Sequence, residues 1–553
     1  MSPRLPLDVV CSTCNAKTAA KPARILQSPV PEVLAIYAFP SAEESKLIHT
    51  TLSKIAVELS ELDKEIVQME GVLDGLRRSR DDLQLFSNRH ENTLNPTRRL
   101  PAEILGEIFI RWQLTAGDSL AVTPALVCQH WRAVAVATSE LWRSFRVTSF
   151  TTTELDVEMT SRWLGRSRGQ PLNIALTGTG VDAQITNIAN HPLFSMLIDH
   201  SDRWKNLRLY IAPGSHALVP QWLPNLPQCL PSLHSLEIDG DFYEPFSDFP
   251  DSQFRNAPLL RVISFAQRVS TTIPQLPWFQ LTHCTLLGNN GSRYLYQECH
   301  EILLSCPDLI KCEMQVDGSH PFPSGLCPIL HANLSIFSFG SWDGQNLPLF
   351  WDFLSLPALS EVVAWGGYLP AACLVSFVTR SSCSLTSLMI QSETPEEDDS
   401  QLIGLLRLTP RLNQLEVYHH SALVANRDSA LIMAMTGNPG NPGGDCSFLP
   451  CLTSLNLSIS SGFNMRAFTK LVSSRYRLGA DGPHCKDDAM LAQLHFVELD
   501  FRAMGSLDLA EFSEDVYEEL QRMHRDGLIL SFYDELTKKS LDVGALYQEC
   551  IRS

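Results

Sequence analysis

Residues 230–240 read LPSLHSLEIDG, and residues 449–457 repeat the same spacing as LPCLTSLNL. Both stretches place apolar residues at the first, fourth and sixth positions of a short segment, which starts at Leu233 and at Leu452. The pattern occurs at Leu233-Leu236-Ile238, Leu260-Ile263-Phe265, Leu281-Cys284-Leu286, Leu309-Cys312-Met314, Leu334-Phe337-Phe339, Leu359-Val362-Ala364, Leu385-Leu388-Ile390, Leu412-Leu415-Val417, Leu452-Leu455-Leu457 and Leu494-Val497-Leu499. Because the fourth and sixth positions of a strand point to the same side, the pattern predicts a series of strands that share one buried face.

These segments recur at a nearly constant interval. Counted from a degenerate copy at Leu207, the first positions are separated by 26, 27, 21, 28, 25, 25, 26 and 27 residues, and then by 40 and 42. This spacing is typical of leucine-rich repeats, whose stacked units share a core that no single unit could bury. We therefore predict an α/β fold with a leucine-rich repeat solenoid over residues 207–506. The alternative is an ordinary α/β domain with leucine-rich strands.

The segments that flank this array are predicted separately. Residues 151–206 contain a helix and a strand that fit the repeat poorly, and we interpret them as a linker or capping region. Residues 507–553 are predicted to form a charged helical cap on the open end of the array. Residues 1–42 contain several prolines and no sustained period, which indicates a flexible tail.

Residues 43–92 are predicted to form one long helix. Within residues 43–88, large apolar residues alternate at steps of four and three until Leu76, Arg80 takes the next position, and Leu83 resumes the series, which is a heptad pattern. They are Ile48, Leu52, Ile55, Leu59, Leu62, Ile66, Met69, Leu73, Leu76 and Leu83. A helix cannot bury such a stripe alone, so we expect this coiled helix to pack against the following helical domain or to form a homodimer through residues 43–88.

Residues 97–147 are predicted to form a three-helix block, which contains LPAEILGEIF from Leu100, LVCQHWRAVA from Leu126 and ELW from Glu140. These three segments, in this order, resemble the F-box family in the form found in mushroom-type fungi. In that form a heptad helix and one or two arginines precede the block, as Arg98 and Arg99 do here. The match covers about fifty residues, or about a hundred with the coiled helix.

The resemblance implies a partner and a function. F-box proteins bind a Skp-type adaptor protein, which links them to a cullin–RING (SCF-type) ubiquitin ligase, and their other domains recognise the substrate. The predicted adaptor contacts are Leu100, Pro101, Ile104, Leu105, Ile108, Leu126, Trp131 and Trp142. The alternative is a scaffold without a ubiquitin role that dimerises through the coiled helix.

Composition excludes several classes of function. The net charge is −18, from 61 acidic and 43 basic residues, which disfavours nucleic acid as a partner. No apolar stretch approaches the length of about 18 residues that a membrane helix needs, and the start lacks the apolar core of a secretory signal. The fifteen cysteines are scattered, and those in apolar positions, such as Cys128, Cys312 and Cys383, indicate reduced core thiols in the cytoplasm or nucleus.

No enzyme motif is complete. The turn Thr177-Gly178-Thr179-Gly180 lacks the further residues of a phosphate loop, and His419-His420 lacks the other ligands of a metal site. Cys11 and Cys14 form a single CxxC without a second pair, so two solvated thiols are the simpler interpretation. We predict a non-enzymatic protein without metal or cofactor.

Acidic residues predominate at the outward strand positions of the predicted array. They are Glu237, Asp239, Glu313, Glu361, Glu416, Glu498 and Asp500, against Lys311 alone among the bases. The simpler explanation is that an acidic chain carries acid throughout its surface. The excess also predicts a protein target with a basic segment, for which these seven residues would form the binding face.

Overall fold

A computed structural model describes residues 8–10, 17–19, 28–36, 39–116, 123–147, 154–178, 192–211, 226–240, 251–269, 272–288, 293–343, 345–392, 400–419, 428–436, 448–459, 463–476, 492–501, 513–534, 539–541 and 543. The chain divides into two units, Met1–Pro101 and Ala102–Ser553. Among the described helices, none has both the length and the apolar character that a membrane crossing requires.

The first unit is dominated by one long helix. Strand β1 (Asp8–Val10) pairs antiparallel with β2 (Lys17–Ala19), and helices α1 (Pro31–Ile36) and α2 (Ala42–Leu94) follow. Helix α2 contains 53 residues and agrees closely with the helix predicted over residues 43–92. The segment predicted as a tail therefore contains two short strands and a short helix among its described residues.

Local sequence explains both ends of α2. The Ser41 hydroxyl accepts a hydrogen bond from the Glu44 backbone N–H at 3.3 Å, and the Glu44 carboxylate accepts one from the Ser41 backbone N–H at 2.8 Å. This reciprocal pair satisfies two N–H groups that a helix start leaves without partners, and its hydrogen bonds lower the pKa of Glu44. Pro96 ends the helix because the residue before a proline disfavours helical geometry, and the Asn95 side chain then caps the 3₁₀ turn Pro96–Arg99.

The second unit begins with short helices and continues as a large sheet. The first helices are α3 (Ala102–Ala116), α4 (Thr123–Val127) and α5 (Gln129–Ala137), followed by the 3₁₀ turn Ser139–Trp142. The later helices are α6 (Glu154–Arg166), α7 (Pro192–Ile198), α8 (Asp251–Arg255), α9 (Tyr296–Ser305), α10 (Leu347–Asp352), α11 (Ala371–Ser381), α12 (Ser400–Arg407), α13 (Asp428–Thr436), α14 (Met465–Tyr476) and α15 (Glu514–Arg525). The strands are β3 (Ser144–Val147), β4 (Leu172–Gly178), β5 (Trp204–Ile211), β6 (Ser235–Gly240), β7 (Val262–Phe265), β8 (His283–Leu286), β9 (Lys311–Gln315), β10 (Ile329–Leu330), β11 (Ile336–Ser341), β12 (Leu354–Ser355), β13 (Glu361–Gly366), β14 (Ser387–Ser392), β15 (Gln414–His419), β16 (Ser454–Ile459), β17 (Phe496–Phe501), β18 (Ile529–Asp534) and β19 (Lys539–Leu541).

Fifteen of these strands form one open sheet in chain order, from β3 at one edge to β19 at the other. Neighbouring strands are parallel except β18 and β19, which are antiparallel. Strands β10 and β12 lie outside this sheet and pair with each other. The described part of the chain is therefore a mixed α/β protein with a long N-terminal helix and a large parallel sheet.

Each of the ten repeated segments contains one strand of the sheet. The first, fourth and sixth positions are buried in every copy, as at Leu233, Leu236 and Ile238. These side chains join the apolar faces of the connecting helices in one continuous core. The third, fifth and seventh positions face the other side of the sheet, where most of them are half-buried, so the predicted inward and outward sides of these strands are confirmed.

The sheet extends further in both directions than the sequence predicted. Strands β3 and β4 lie before the predicted array start at residue 207. Strand β3 lies within residues 97–147, predicted as a three-helix block, and β4 lies within the predicted linker. At the other end, the predicted helical cap contains α15 but continues the sheet through β18 and β19.

One buried arginine ties two connecting segments to the core. Arg475 of α14 is 4% exposed and donates hydrogen bonds to the backbone carbonyl oxygens of Met435 at 3.1 Å, Leu449 at 2.8 Å and Phe448 at 2.6 Å. Burial lowers the pKa of its guanidinium to about 10. The three carbonyls satisfy a charge that would otherwise be costly to bury.

Candidate functional site

The helical block, residues 102–142, has its own small interior. Leu105 and Phe109 are buried on α3 at a spacing of four residues, which places them on one side of the helix. The ring of Trp131 on α5 packs against Phe109 with centroids 5.0 Å apart. Gly106 permits a close approach of α3 to the end of α5, because a Cβ at this position would lie 3.0 Å from the Thr138 hydroxyl oxygen.

Trp142 connects this block to the rest of the second unit. Its indole N–H donates to the Ala135 carbonyl oxygen at 2.7 Å, and its ring meets Trp163 edge-on with centroids 5.1 Å apart. The guanidinium of Arg166 lies 4.5 Å above the Trp142 ring. Trp163 and Arg166 both belong to α6, so Trp142 fixes the block against that helix.

Two predicted adaptor contacts are therefore wrong as direct contacts. Leu105 and Trp142 are each 1% exposed, so neither side chain can touch a partner protein. Both hold the helices in place from inside. Trp131 is half-buried against Phe109 and presents only part of its ring.

The outer sides of α3 and α4 carry exposed apolar residues. Ile104 and Ile108 of α3 are 50% and 44% exposed, and they share one side of the helix because they are four residues apart. Leu126 and Val127 of α4 are also exposed, and Val127 was not among the predicted contacts. We call these four residues the α3–α4 surface. Both helices pack against α5, which gives them a common support.

Local hydrogen bonds hold α4 in position. The Cys128 thiol caps α5 by accepting from the Trp131 backbone N–H at 3.4 Å, so this predicted core thiol lies in an exposed turn. The Arg132 guanidinium donates to the Ala125 carbonyl oxygen at 2.8 Å. These contacts fix the turn that presents Leu126.

Leu100 and Pro101 belong to the first unit, which ends at Pro101. Leu100 is half-buried and its backbone N–H donates to the Thr97 carbonyl oxygen at 3.2 Å, whereas Pro101 is exposed.

The seven predicted target contacts lie on the half-exposed side of the sheet in three rows. The fifth position of a segment is occupied by Glu237, Glu313, Glu416 and Glu498. The third position is occupied by Glu361, and the seventh by Asp239 and Asp500. Their surroundings differ. Arg208, the neighbour of Glu237 in register on β5, pairs with its carboxylate at 2.6 Å and compensates its charge.

Glu416 and Glu498 are held by neutral donors instead. Glu416 accepts from the Gln414 amide at 2.7 Å and the Tyr418 hydroxyl at 3.0 Å. Glu498 accepts from the Ser531 hydroxyl at 3.0 Å and the Asn456 amide at 2.8 Å. Each carboxylate oxygen thus receives one donor, and no described cation forms an ion pair with either group.

Asn456 links the two carboxylates across β16. It lies in register between Glu416 and Glu498 and is 7% exposed. Its amide also donates to the Tyr418 hydroxyl oxygen at 2.7 Å. Burial and the Glu416 carboxylate raise the pKa of Tyr418, so its hydroxyl stays protonated and donates to Glu416. We call these four residues the acidic network.

Tyr418 and Asn456 were not among the predicted site residues, although the repeat contains the signal. Tyr418 lies two residues after Glu416, and Asn456 occupies the same fifth position as both glutamates. Trp342 and Trp365, a pair of half-exposed tryptophans whose ring centroids are 5.5 Å apart, were not predicted either.

Trp365 depends on a glycine in the neighbouring strand. Gly340 lies in register with Trp365, and a Cβ at Gly340 would lie 2.1 Å from the Trp365 carbonyl oxygen and 2.3 Å from its indole ring. The tryptophan therefore lies directly over the backbone of β11. Only a glycine permits this approach.

The remaining chemical candidates provide no complete site. Cys11, Cys14, Thr179, Gly180 and His420 lie outside the described residues. Within the described ranges, no group of three or more His, Cys, Asp or Glu is placed to hold a metal ion.

The central cysteines are buried thiols. Cys284 and Cys312 lie in register on β8 and β9, and both are fully buried. Burial raises the pKa of both thiols well above the usual range. Cys383 is buried as well, so the predicted core positions of Cys312 and Cys383 are confirmed.

Neither a protein family model nor a curated protein matches this sequence.

Proposed function

We propose that this chain is a substrate-recognition adaptor of a cullin–RING (SCF-type) ubiquitin ligase. In this proposal the helical block is an F-box-like domain that binds a Skp-type adaptor protein. The sheet-rich remainder holds the target, and the ubiquitin-transfer chemistry takes place on partner enzymes.

The observation that carries the proposal is the fit between three sequence blocks and three short helical elements. LPAEILGEIF leads into α3, LVCQHWRAVA spans the α4–α5 junction, and ELW forms the 3₁₀ turn. These elements bury Leu105 and Trp142 and leave Ile104, Ile108 and Leu126 exposed. Exposed large apolar residues beside a completed core are typical of a protein interface.

We propose further that residues 207–506 form a leucine-rich repeat solenoid, to which β3 and β4 add further strands. The interval of 21–28 residues over the first eight steps, the parallel order of the strands and the shared core support this assignment. A repeat array suits target recognition because outward strand positions vary without disturbing the core.

We place the target contact at the acidic network and propose that the target presents a basic segment. Glu237 is already paired with Arg208, whereas the two glutamates of the network are fixed by neutral groups and form no ion pair with a described cation. Carboxylates fixed in this way favour an incoming lysine or arginine because no internal ion pair has to break.

Adaptor binding is tested with the full chain and a purified Skp-type adaptor in size-exclusion chromatography. We expect the wild type to form a complex, and Ile104→Asp with Ile108→Asp to abolish it. The matched control is Met159→Asp on α6, which replaces another exposed apolar helix residue, 56% exposed, outside the block. Absence of a wild-type complex, or equal loss in the control, would refute the assignment.

The target proposal is tested with a fluorescent peptide rich in lysine and arginine. We expect Glu416→Gln with Glu498→Gln to weaken binding about tenfold, since exposed charge pairs contribute up to about 1 kcal/mol each. Glu237→Gln is the control and should change affinity little. Binding should also weaken as salt rises. No wild-type binding, or equal effects of both changes, would refute the location.

The second candidate function is a scaffold without a ubiquitin role that dimerises through α2. The exposed heptad stripe of α2 favours it. The two candidates differ in adaptor binding, which the scaffold would lack.

A further inference from the structure

The heptad stripe of α2 is exposed along its length. From Leu52 to Leu83 its large apolar residues, except the half-buried Ile55, are between 46% and 70% exposed. Such a stripe in water favours association, because burying apolar surface contributes about 25 cal/mol for each Å². It therefore requires an apolar partner of similar length.

The length of the stripe restricts what can cover it. Residues 48–83 of α2 span about 53 Å at the usual rise of 1.5 Å per residue. Among the other described helices, the longest is α3, which has 15 residues and therefore a length of about 22 Å. No described helix of this chain matches the stripe except α2 itself. We propose that α2 pairs with α2 of a second copy as an antiparallel coiled coil.

The orientation follows first from Arg80. The steps of the stripe put Leu52, Leu59, Ile66 and Leu73 at the a position, and Arg80 occupies the next a position. In a parallel dimer in register, equivalent a positions face each other, so Arg80 would meet the Arg80 of the second copy inside the seam. In an antiparallel dimer an a position faces a d position of the second copy. Arg80 then meets an apolar residue instead of a second arginine, at a point where the edges of the seam are exposed to solvent.

The charges beside the seam favour the same orientation. A parallel dimer would place Glu58 opposite Asp63 of the second copy, and Glu65 opposite Glu70. Both of these pairs join like charges. Among the other pairs of residues that flank the seam of a parallel dimer, none joins opposite charges. An antiparallel arrangement in which residues 59–83 of the two copies overlap places Arg80 opposite Leu62 and brings the basic residues 77–80 of one copy beside the acidic residues 58–65 of the other. Opposite charges next to a seam select the partner and its orientation.

Mass measurement tests the pairing. For the full chain, light scattering after size exclusion should give twice the monomer mass of 61.7 kDa. Ile66→Asp should halve that mass. Val67→Asp is the matched control, because Val67 is an adjacent exposed apolar residue, 67% exposed, that lies off the seam. A monomeric wild type, or equal dissociation of both variants, would overturn the proposal.

Cross-linking tests the orientation. Ser79, an exposed residue beside the seam, is replaced by a photoreactive amino acid. Chains of this variant labelled with ¹⁴N and with ¹⁵N are then mixed. We expect cross-links between differently labelled chains at residues 58–65. Cross-links near residue 84 of the other copy would establish a parallel pair. Cross-links confined to one chain would show that the stripe is covered in cis, and either result would overturn the proposal.

Discussion

Removing the two exposed isoleucines of α3 should weaken adaptor binding without destabilising the protein. Ile104 and Ile108 are 50% and 44% exposed, so about half of each side chain remains to be buried by a partner. Full burial of an isoleucine side chain contributes about 1.5–3 kcal/mol, and half of it about 1 kcal/mol. The double change Ile104→Ala and Ile108→Ala should therefore cost about 2 kcal/mol of binding free energy, or about thirtyfold in affinity.

Isothermal titration calorimetry with a Skp-type adaptor measures this loss, and thermal unfolding measures stability in parallel. Leu105→Ala provides the contrast, because Leu105 is 1% exposed and its truncation should cost about 2–5 kcal/mol of folding stability. A loss of affinity below threefold in the isoleucine variant, with an unchanged unfolding curve, would show that these residues lie outside the interface and would refute the reasoning.

Three further predictions concern the sheet and its connections. Arg475→Met should lower the free energy of unfolding by at least about 3 kcal/mol, because three buried carbonyls lose their donor; chemical denaturation checks this, and the exposed Arg466→Met should change little. Gly340→Ala should destabilise the protein and alter near-UV circular dichroism, since the new Cβ meets Trp365; an unchanged spectrum and stability would contradict the packing. Cys312 should resist thiol reagents at neutral pH, because burial raises its pKa. Above the usual thiol pKa of about 8.5, the Cys312 thiol ionises in the unfolded chain but stays protonated in the folded protein, so the free energy of unfolding should fall as pH rises. Labelling of Cys312 in the native protein would contradict its burial.

The repeated strands could be predicted because their signal is local. Every copy carries its own alternation, and the first, fourth and sixth positions are buried wherever the pattern occurs. The edges of the sheet lack this redundancy. Strand β3 contains only four residues, and it was assigned to the three-helix block. Leu528, Leu530 and Phe532 alternate around β18, but they directly follow the charged helix α15, so β18 was assigned to the helical cap.

The candidate sites show a different limit. An apolar stretch such as Ile104-Leu105 reveals that a helix has an apolar side, but the packing of α5 decides which residue turns inward. Trp142 is buried by Trp163 and Arg166, which follow more than twenty residues later in the chain. The acidic excess on the strands was visible in the sequence. The pairing of Glu237 with Arg208, and its contrast with the acidic network, required the register of neighbouring strands.

Recruitment to a ubiquitin ligase can be measured by purifying the tagged full chain from its own cells and identifying the co-purified proteins by mass spectrometry. We expect a Skp-type adaptor and a cullin to co-purify with the wild type and to be lost from the Ile104→Asp, Ile108→Asp variant. They should be retained with the Met159→Asp control. Absence of both proteins from the wild-type sample, or their retention by the double variant, would contradict the account.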